Sequence, residues 1–432
     1  MPRANTSGVL GVMVLLMLVV SAAPDVFQFP RELRLLPGQE YVLHTGPLFT
    51  VAEVAADSNR ILSHADGATV LCGTALGEHS LQLRAFGFLP VRAATIHVVP
   101  EMRVVPGGQS VGVLLSASGL LVVRTIAVMG SDGKTHYPAR DAGIKAGDFI
   151  LRVGEKELVH PSQIEEEAMR YGRLGTALPV VVRRDGRVQR LLVKPVLGSD
   201  GNRAVNRFLL GVLVKDPIAG VGTLTFWDTQ TRRYGALGHM ITSDERQPVT
   251  VDDGRIVSAH IHGIQPGVKG RPGEKLGLFE DGASSLGTID SNTRFGIYGT
   301  LFRFPDQARP SVAVAMVHEV TPGPAEILTV LDGENVELFQ IQILEVSRQF
   351  RSNGKGLVIR VTDPRLLRRT NGIVQGMSGS PILQNNRLVG AITHVYINDP
   401  TRGFGILAEW MIYEAGIHSR RSESISWTPQ AS

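Results

Sequence analysis

The chain has one cysteine, Cys72, in 432 residues. That excludes any intramolecular disulfide and leaves stability to packing. Cys72 stands in the apolar run Thr69–Gly73, a buried-strand setting that supports neither a catalytic thiol nor a zinc cluster. An excess of one charge sign is also missing: the formal net charge is +4, spread without long basic runs, so nothing argues for nucleic acid. Arg365 with Arg368 and Arg369, and the pair Arg420 and Arg421, read as solvated surface. Long hydrophobic runs are scarce too. Val9 to Ala23 is nearly uninterrupted, follows Arg3 and ends in small residues, but fifteen residues is short for a bilayer span. Residues 1–25 are therefore expected to be a signal peptide or a membrane anchor.

What the chain does contain is turn chemistry, with 48 Gly, 24 Pro and 43 % hydrophobic residues, which fits mainly β units. Its length suggests two to four domains. Short β-type runs between glycine turns predict a small β-sandwich over residues 26–100. Beyond residue 198, short strands with frequent Gly and Pro punctuation favour a pair of β-barrels over a helical or doubly wound fold. Trp410 to Ala415 reads as a C-terminal helix, and the last dozen residues as a polar tail.

The chemistry concentrates in Gly376-Met377-Ser378-Gly379-Ser380-Pro381. Glycines on both sides of the serine let the backbone curl tightly. Such a curl aims successive N–H groups at one point, and Gly376 and Ser378 would then be the oxyanion donors. The bland alternative is an ordinary Gly/Ser/Pro turn. A nucleophilic serine needs a base, and His239 follows the apolar strand Gly220–Trp227 and the small-residue segment Gly235-Ala236-Leu237-Gly238. An acid that orients the imidazole is expected at Asp363, at the end of a strand, with Asp290 as the alternative. Asp363 lies only 15 residues before Ser378, too few to build a barrel between them. As plain structure, Asp363 is a turn aspartate before proline.

The segments Gly235–His239, Val361–Leu367 and Gly372–Ile382 closely resemble the stage IV sporulation protein B (SpoIVB) serine peptidases, with further similarity at Val104–Val113 and Val389–Tyr396. The resemblance implies a chymotrypsin-like double β-barrel over 198–432 and a triad of Ser378, His239 and Asp363. It also implies a membrane-associated endopeptidase of endospore formers, exported from the forespore into the intermembrane space. Such enzymes cut themselves near the N-terminus. They also cleave a regulatory membrane protein, releasing an intramembrane protease that activates a late sigma factor.

Residues 103–197 resemble a PDZ domain. Ser110, Val111, Gly112 and Val113 correspond to its peptide-binding loop, Ala142–Leu151 to its helix-turn-strand segment, and Gln163–Tyr171 to its long helix. In the family this module is thought to bind the chain's own N-terminal segment and the membrane target. In two-barrel proteases the strand after the serine flanks the first specificity pocket. Thr393, His394 and Val395 are thus candidate substrate contacts, and His394 either bonds a Gln or Glu side chain or serves structure. No cofactor is expected. A zinc site on His260 and His262, which share one face of a strand, has no neighbouring ligand to complete it. The stronger rival is a non-catalytic PDZ adaptor with an inert protease-like domain.

Overall fold

A computed structural model describes residues 26 and 29–417 except 55–59, 66–67, 117–118, 159–160, 185–186, 201–202, 216–217, 243–252, 279–284, 306–308 and 348–354. The apolar run at 9–23 and the polar C-terminal tail lie outside the described residues. Among those described, no helix is long and apolar enough to cross a membrane.

The chain is mainly β, and twelve strands form two closed barrels. The first barrel uses β1 (Ser110–Ser116), β2 (Ile218–Trp227), β3 (Arg233–Ala236), β4 (Asp253–Ser258), β5 (Gly287–Ile289) and β6 (Gly296–Thr300). Antiparallel pairing runs β2-β1-β4-β5 and β2-β3-β6. A bridge from Gly287 to Leu301 joins β5 to the end of β6 and closes the ring. Val111, Val113, Leu224, Tyr234, Ile256, Ile289 and Ile297 fill it.

The second barrel uses β7 (Gly323–Val330), β8 (Val336–Val346), β9 (Leu357–Val361), β10 (Pro381–Gln384), β11 (Arg387–Tyr396) and β12 (Asp399–Leu407). Its pairing, β7-β8-β9-β12-β11-β10 and back to β7, is antiparallel throughout. In β8 the period-2 alternation is plain: Phe339, Ile341 and Ile343 point inward while their neighbours face solvent. Closure leaves neither barrel with an unpaired edge. Helix α1 (Pro364–Thr370) follows β9, and helix α2 (Ala408–Glu414) packs Met411 and Ile412 into a third core shared by both barrels.

The span expected to be one PDZ domain is divided. Its first part, including Ser110 to Val113, is β1 of the first barrel, paired to β2 on one side and β4 on the other. Both backbone edges are occupied, so these four residues cannot accept an added peptide strand. The expected 103 and 198 boundaries shift accordingly. A separate unit is inserted between β1 and β2. Its sheet contains Leu120–Thr125, Phe149–Val153, Leu178–Arg184, Arg187–Val193 and Val212–Lys215, with helices Pro138–Asp141 and Ser162–Arg173. Its own core, including Val122, Ile150, Ile164, Val180 and Leu210, is separate from the barrel cores.

Residues 32–98 form a four-stranded and a three-stranded sheet around Leu35, Leu71, Leu83 and Ile96. This unit docks on α2 through a buried ion pair, Arg34 Nη1 to Glu409 Oε1 at 3.0 Å, with the guanidinium 4.3 Å from the centre of the Tyr413 ring.

Candidate active site

Two departures from ordinary backbone geometry build the serine loop. Gly376 and Gly379 have φ of +90° and +94°, where side-chain-bearing residues are strained. A Cβ on Gly379 would lie 2.1 Å from Thr223 O and 2.5 Å from Leu237 N, so only glycine lets this loop touch the first barrel. Thr223 and Thr225 of β2 hold the loop from beneath: Thr223 Oγ1 donates to Gly376 O at 2.7 Å and Thr225 Oγ1 to Gly379 O at 2.8 Å. The Thr223 N–H donates to Ser378 O at 3.0 Å. Pro381 then starts β10, as the turn reading expects.

On the first barrel, β3 is followed by Leu237 and Gly238, whose φ values are +68° and +72°. A leucine there is strained, and the pair turns the chain so that His239 follows directly into the inter-barrel cleft. A Cβ on Gly238 would meet Thr393 Cγ2 at 3.0 Å and Ile406 Cγ2 at 3.2 Å. The small residue before the base is therefore what lets the barrels approach.

The cleft brings His239, Thr393, His394 and Ser378 together. The His239 and His394 rings lie 4.9 Å apart, and Ser378 Oγ donates to Thr393 O at 2.8 Å. His239 Nδ1 faces Met240 O at 2.9 Å. A carbonyl only accepts, so Nδ1 carries the proton in the neutral ring and Nε2 is left as the acceptor. Burial holds the imidazole below its ordinary pKa, partly opposed by this hydrogen bond. Among the described residues, no acceptor faces the N–H of Gly376 or Ser378.

Neither candidate acid reaches the imidazole. Asp363 caps α1: its carboxylate accepts from the Arg365 N–H at 2.8 Å, from Arg365 Nη2 at 2.8 Å and from the Gln340 N–H at 3.2 Å. The Arg365 side chain holds its pKa down at about 2. Asp290 pairs with Arg233 at 2.7 Å and accepts from Thr288 Oγ1 at 2.6 Å. The group facing His239 Nδ1 is instead the Met240 carbonyl. Asp363-Pro364 carried the correct signal in sequence, since Asp at an N-cap followed by Pro at N1 starts a helix.

A neighbour of the serine loop that the sequence did not betray is Lys275, buried directly behind Gly376. His260 and His262 lie on the strand His260–Gln265 with exposed side chains.

Residues 206–412 match the family model described as SpoIVB peptidase S55. This stretch of the chain is similar to that family. The match holds His239, Asp363 and Ser378 but begins after β1, which the inserted unit separates from the remaining barrel strands. No curated protein matches the chain. Among solved structures, the active form of the Rv3671c protease from M. tuberculosis is similar at 15 % identity over 48 % of this chain and 78 % of its own, with a TM-score of 0.27. An inactive serine-to-alanine mutant of that protease, from strain H37Rv, is similar at 14 % identity over 48 % and 85 %, with a TM-score of 0.25. The family match supports a serine peptidase over residues 206–412.

Proposed function

We propose that the chain is a serine endopeptidase working through a Ser378–His239 dyad, with the Met240 carbonyl in the orienting role usually given to a carboxylate. The observation that carries this reading is the pair of unengaged N–H groups at Gly376 and Ser378, beside a serine hydroxyl in the same cleft as an Nδ1-protonated imidazole. In the first step Ser378 Oγ leaves the Thr393 carbonyl, gives its proton to His239 Nε2 and bonds to the scissile carbonyl carbon. The carbonyl π electrons move to oxygen, and the oxyanion is received by the Gly376 and Ser378 N–H groups. The imidazolium then protonates the departing amine, leaving an acyl-enzyme that water hydrolyses by the same route. A carbonyl stabilises the imidazolium less than a carboxylate does, which suits slow, regulated cleavage.

His394 exposes its ring beside His239 and fits contact with a Gln or Glu side chain preceding the cut, with Thr393 and Val395 pairing the substrate backbone. The physiological role we infer follows the family: cleavage of itself and of a regulatory membrane protein, releasing an intramembrane protease that activates a late sigma factor. In this role the enzyme is exported from the forespore and held at a membrane by its N-terminal segment. We assign the inserted unit, rather than residues 110–113, to PDZ-type capture of that segment or of the target.

The test is incubation of the purified protein beside S378A, with mass spectrometry of the products and fluorophosphonate labelling. Self-cleavage and labelling at Ser378 in the wild type alone support the proposal. Two intact, unlabelled samples that both still activate the downstream pathway would establish the adaptor instead.

A further inference from the structure

Lys275 is the second residue of the short strand Glu274–Leu278 and is 1 % exposed. Its Nζ donates to Thr329 Oγ1 of β7 at 2.8 Å and to Ser110 Oγ of β1 at 3.4 Å, so the ammonium bridges the two barrels. Among the described residues no carboxylate pairs with it. Its backbone is tied to the serine loop as well: the Lys275 N–H donates to Gln375 O at 3.0 Å, and the Gln375 N–H to Gly273 O at 2.8 Å. The aliphatic stem lies flat against the next residue. A Cβ on Gly376 would stand 3.1 Å from Lys275 Cβ and Cδ.

Burying an ammonium without a counter-ion is costly, and an apolar side chain of the same length would fill the same space without that cost. Packing therefore does not account for the charge, whereas its position does. It sits behind the peptide that supplies one of the two proposed oxyanion donors, in a setting where water does not screen it.

We propose that Lys275 is a positioning residue of the oxyanion-binding loop, its stem fixing the Gly376 peptide and its ammonium adding positive potential behind the oxyanion. This rests on the serine-peptidase reading above. The scissile oxygen carries more negative charge in the tetrahedral transition state than in the bound carbonyl, so a positive charge behind its donor favours the transition state over the bound substrate.

The full chain is tested at about pH 6.5, where most of the buried Lys275 keeps its proton, as wild type, K275M, K275R and T329V. The readouts are kcat and KM on a peptide substrate, affinity for a peptide boronate that forms a tetrahedral adduct on the serine, and fluorophosphonate labelling. K275M is expected to lower kcat and boronate affinity by about tenfold or more, with KM nearly unchanged. K275R is expected to recover part of the loss. T329V, which removes the closer hydroxyl but no charge, moves both quantities in the same direction by less, and it carries the test if K275M does not fold. A K275M enzyme, or failing that a T329V enzyme, with wild-type kcat and boronate affinity overturns the proposal alone. A wild-type protein that is never labelled at Ser378 overturns the peptidase reading and this proposal with it.

Discussion

Replacing Lys275 by methionine should make the protein more stable in a pH-dependent way. The side chain is buried without a counter-ion, and desolvation alone pushes its pKa from 10.5 down to about 7. That displacement corresponds to about 5 kcal/mol of preference for the neutral form in the folded protein. Between pH 7 and 10.5 the unfolded chain keeps a proton that the folded chain has released, so this group makes stability rise with pH across the window. Below pH 7 both states hold the proton and the full cost of the buried charge is present.

Methionine removes the charge but leaves the Ser110 and Thr329 hydroxyls without their donor, which costs about 1 kcal/mol each. The expected net gain at pH 6 is about 3 kcal/mol, vanishing or reversing near pH 10.5. Trp227 is buried in the first barrel, so urea titrations followed by tryptophan fluorescence at pH 6, 8 and 10 read the relevant transition. Other titrating groups are common to both proteins and cancel in the difference. A variant less stable than wild type at pH 6, or a difference that does not shrink with rising pH, refutes the reasoning. With the kinetic loss proposed above, the variant would exchange activity for stability, the pattern expected of a strained functional site.

D363N should destabilise by about 1–2 kcal/mol through the weakened helix cap and Arg365 pairing while sparing turnover. In the wild type this contribution is complete above pH 4 and lost as pH falls through about 2, which acid titration of unfolding in the two proteins will check. R34M should cost about 3 kcal/mol by leaving Glu409 buried and unpaired, read as a lower thermal midpoint. The acid limb of kcat/KM should fall below pH 6.5, because burial keeps His239 neutral to lower pH; a limb above 6.5 contradicts the assigned environment. H394A should lose preference at the residue before the cut in a peptide-library digest, and an unchanged preference removes that contact.

The parts of this molecule that were legible in sequence are those fixed locally. Gly376 and Gly379 flank the serine because the loop runs at positive φ against Thr223 and Lys275, and that spacing is visible without a fold. Alternation in Val336–Val346 and the breaks at Gly and Pro gave the β character for the same reason. Asp363-Pro364 is ambiguous in sequence because an aspartate before proline suits both a helix cap, which the structure shows, and an orienting carboxylate at a strand end. Ser110 to Val113 were misassigned because a barrel strand and a peptide-binding strand share one pattern. Only the pairing to β2, across an inserted unit, separates the two.

Long-range burial of charge is what sequence hides most completely. Arg34 and Glu409 are 375 residues apart. In Glu274-Lys275-Leu276-Gly277-Leu278 the apolar residues are Leu276 and Leu278, so alternation points them inward and Lys275 to solvent, whereas the fold exposes both leucines and buries the lysine. Periodicity and polarity agree at that position, and the tertiary fold overrides both. Such a conflict is costly in stability unless the position does something else, and the peptide it touches is the one on which the proposed chemistry depends.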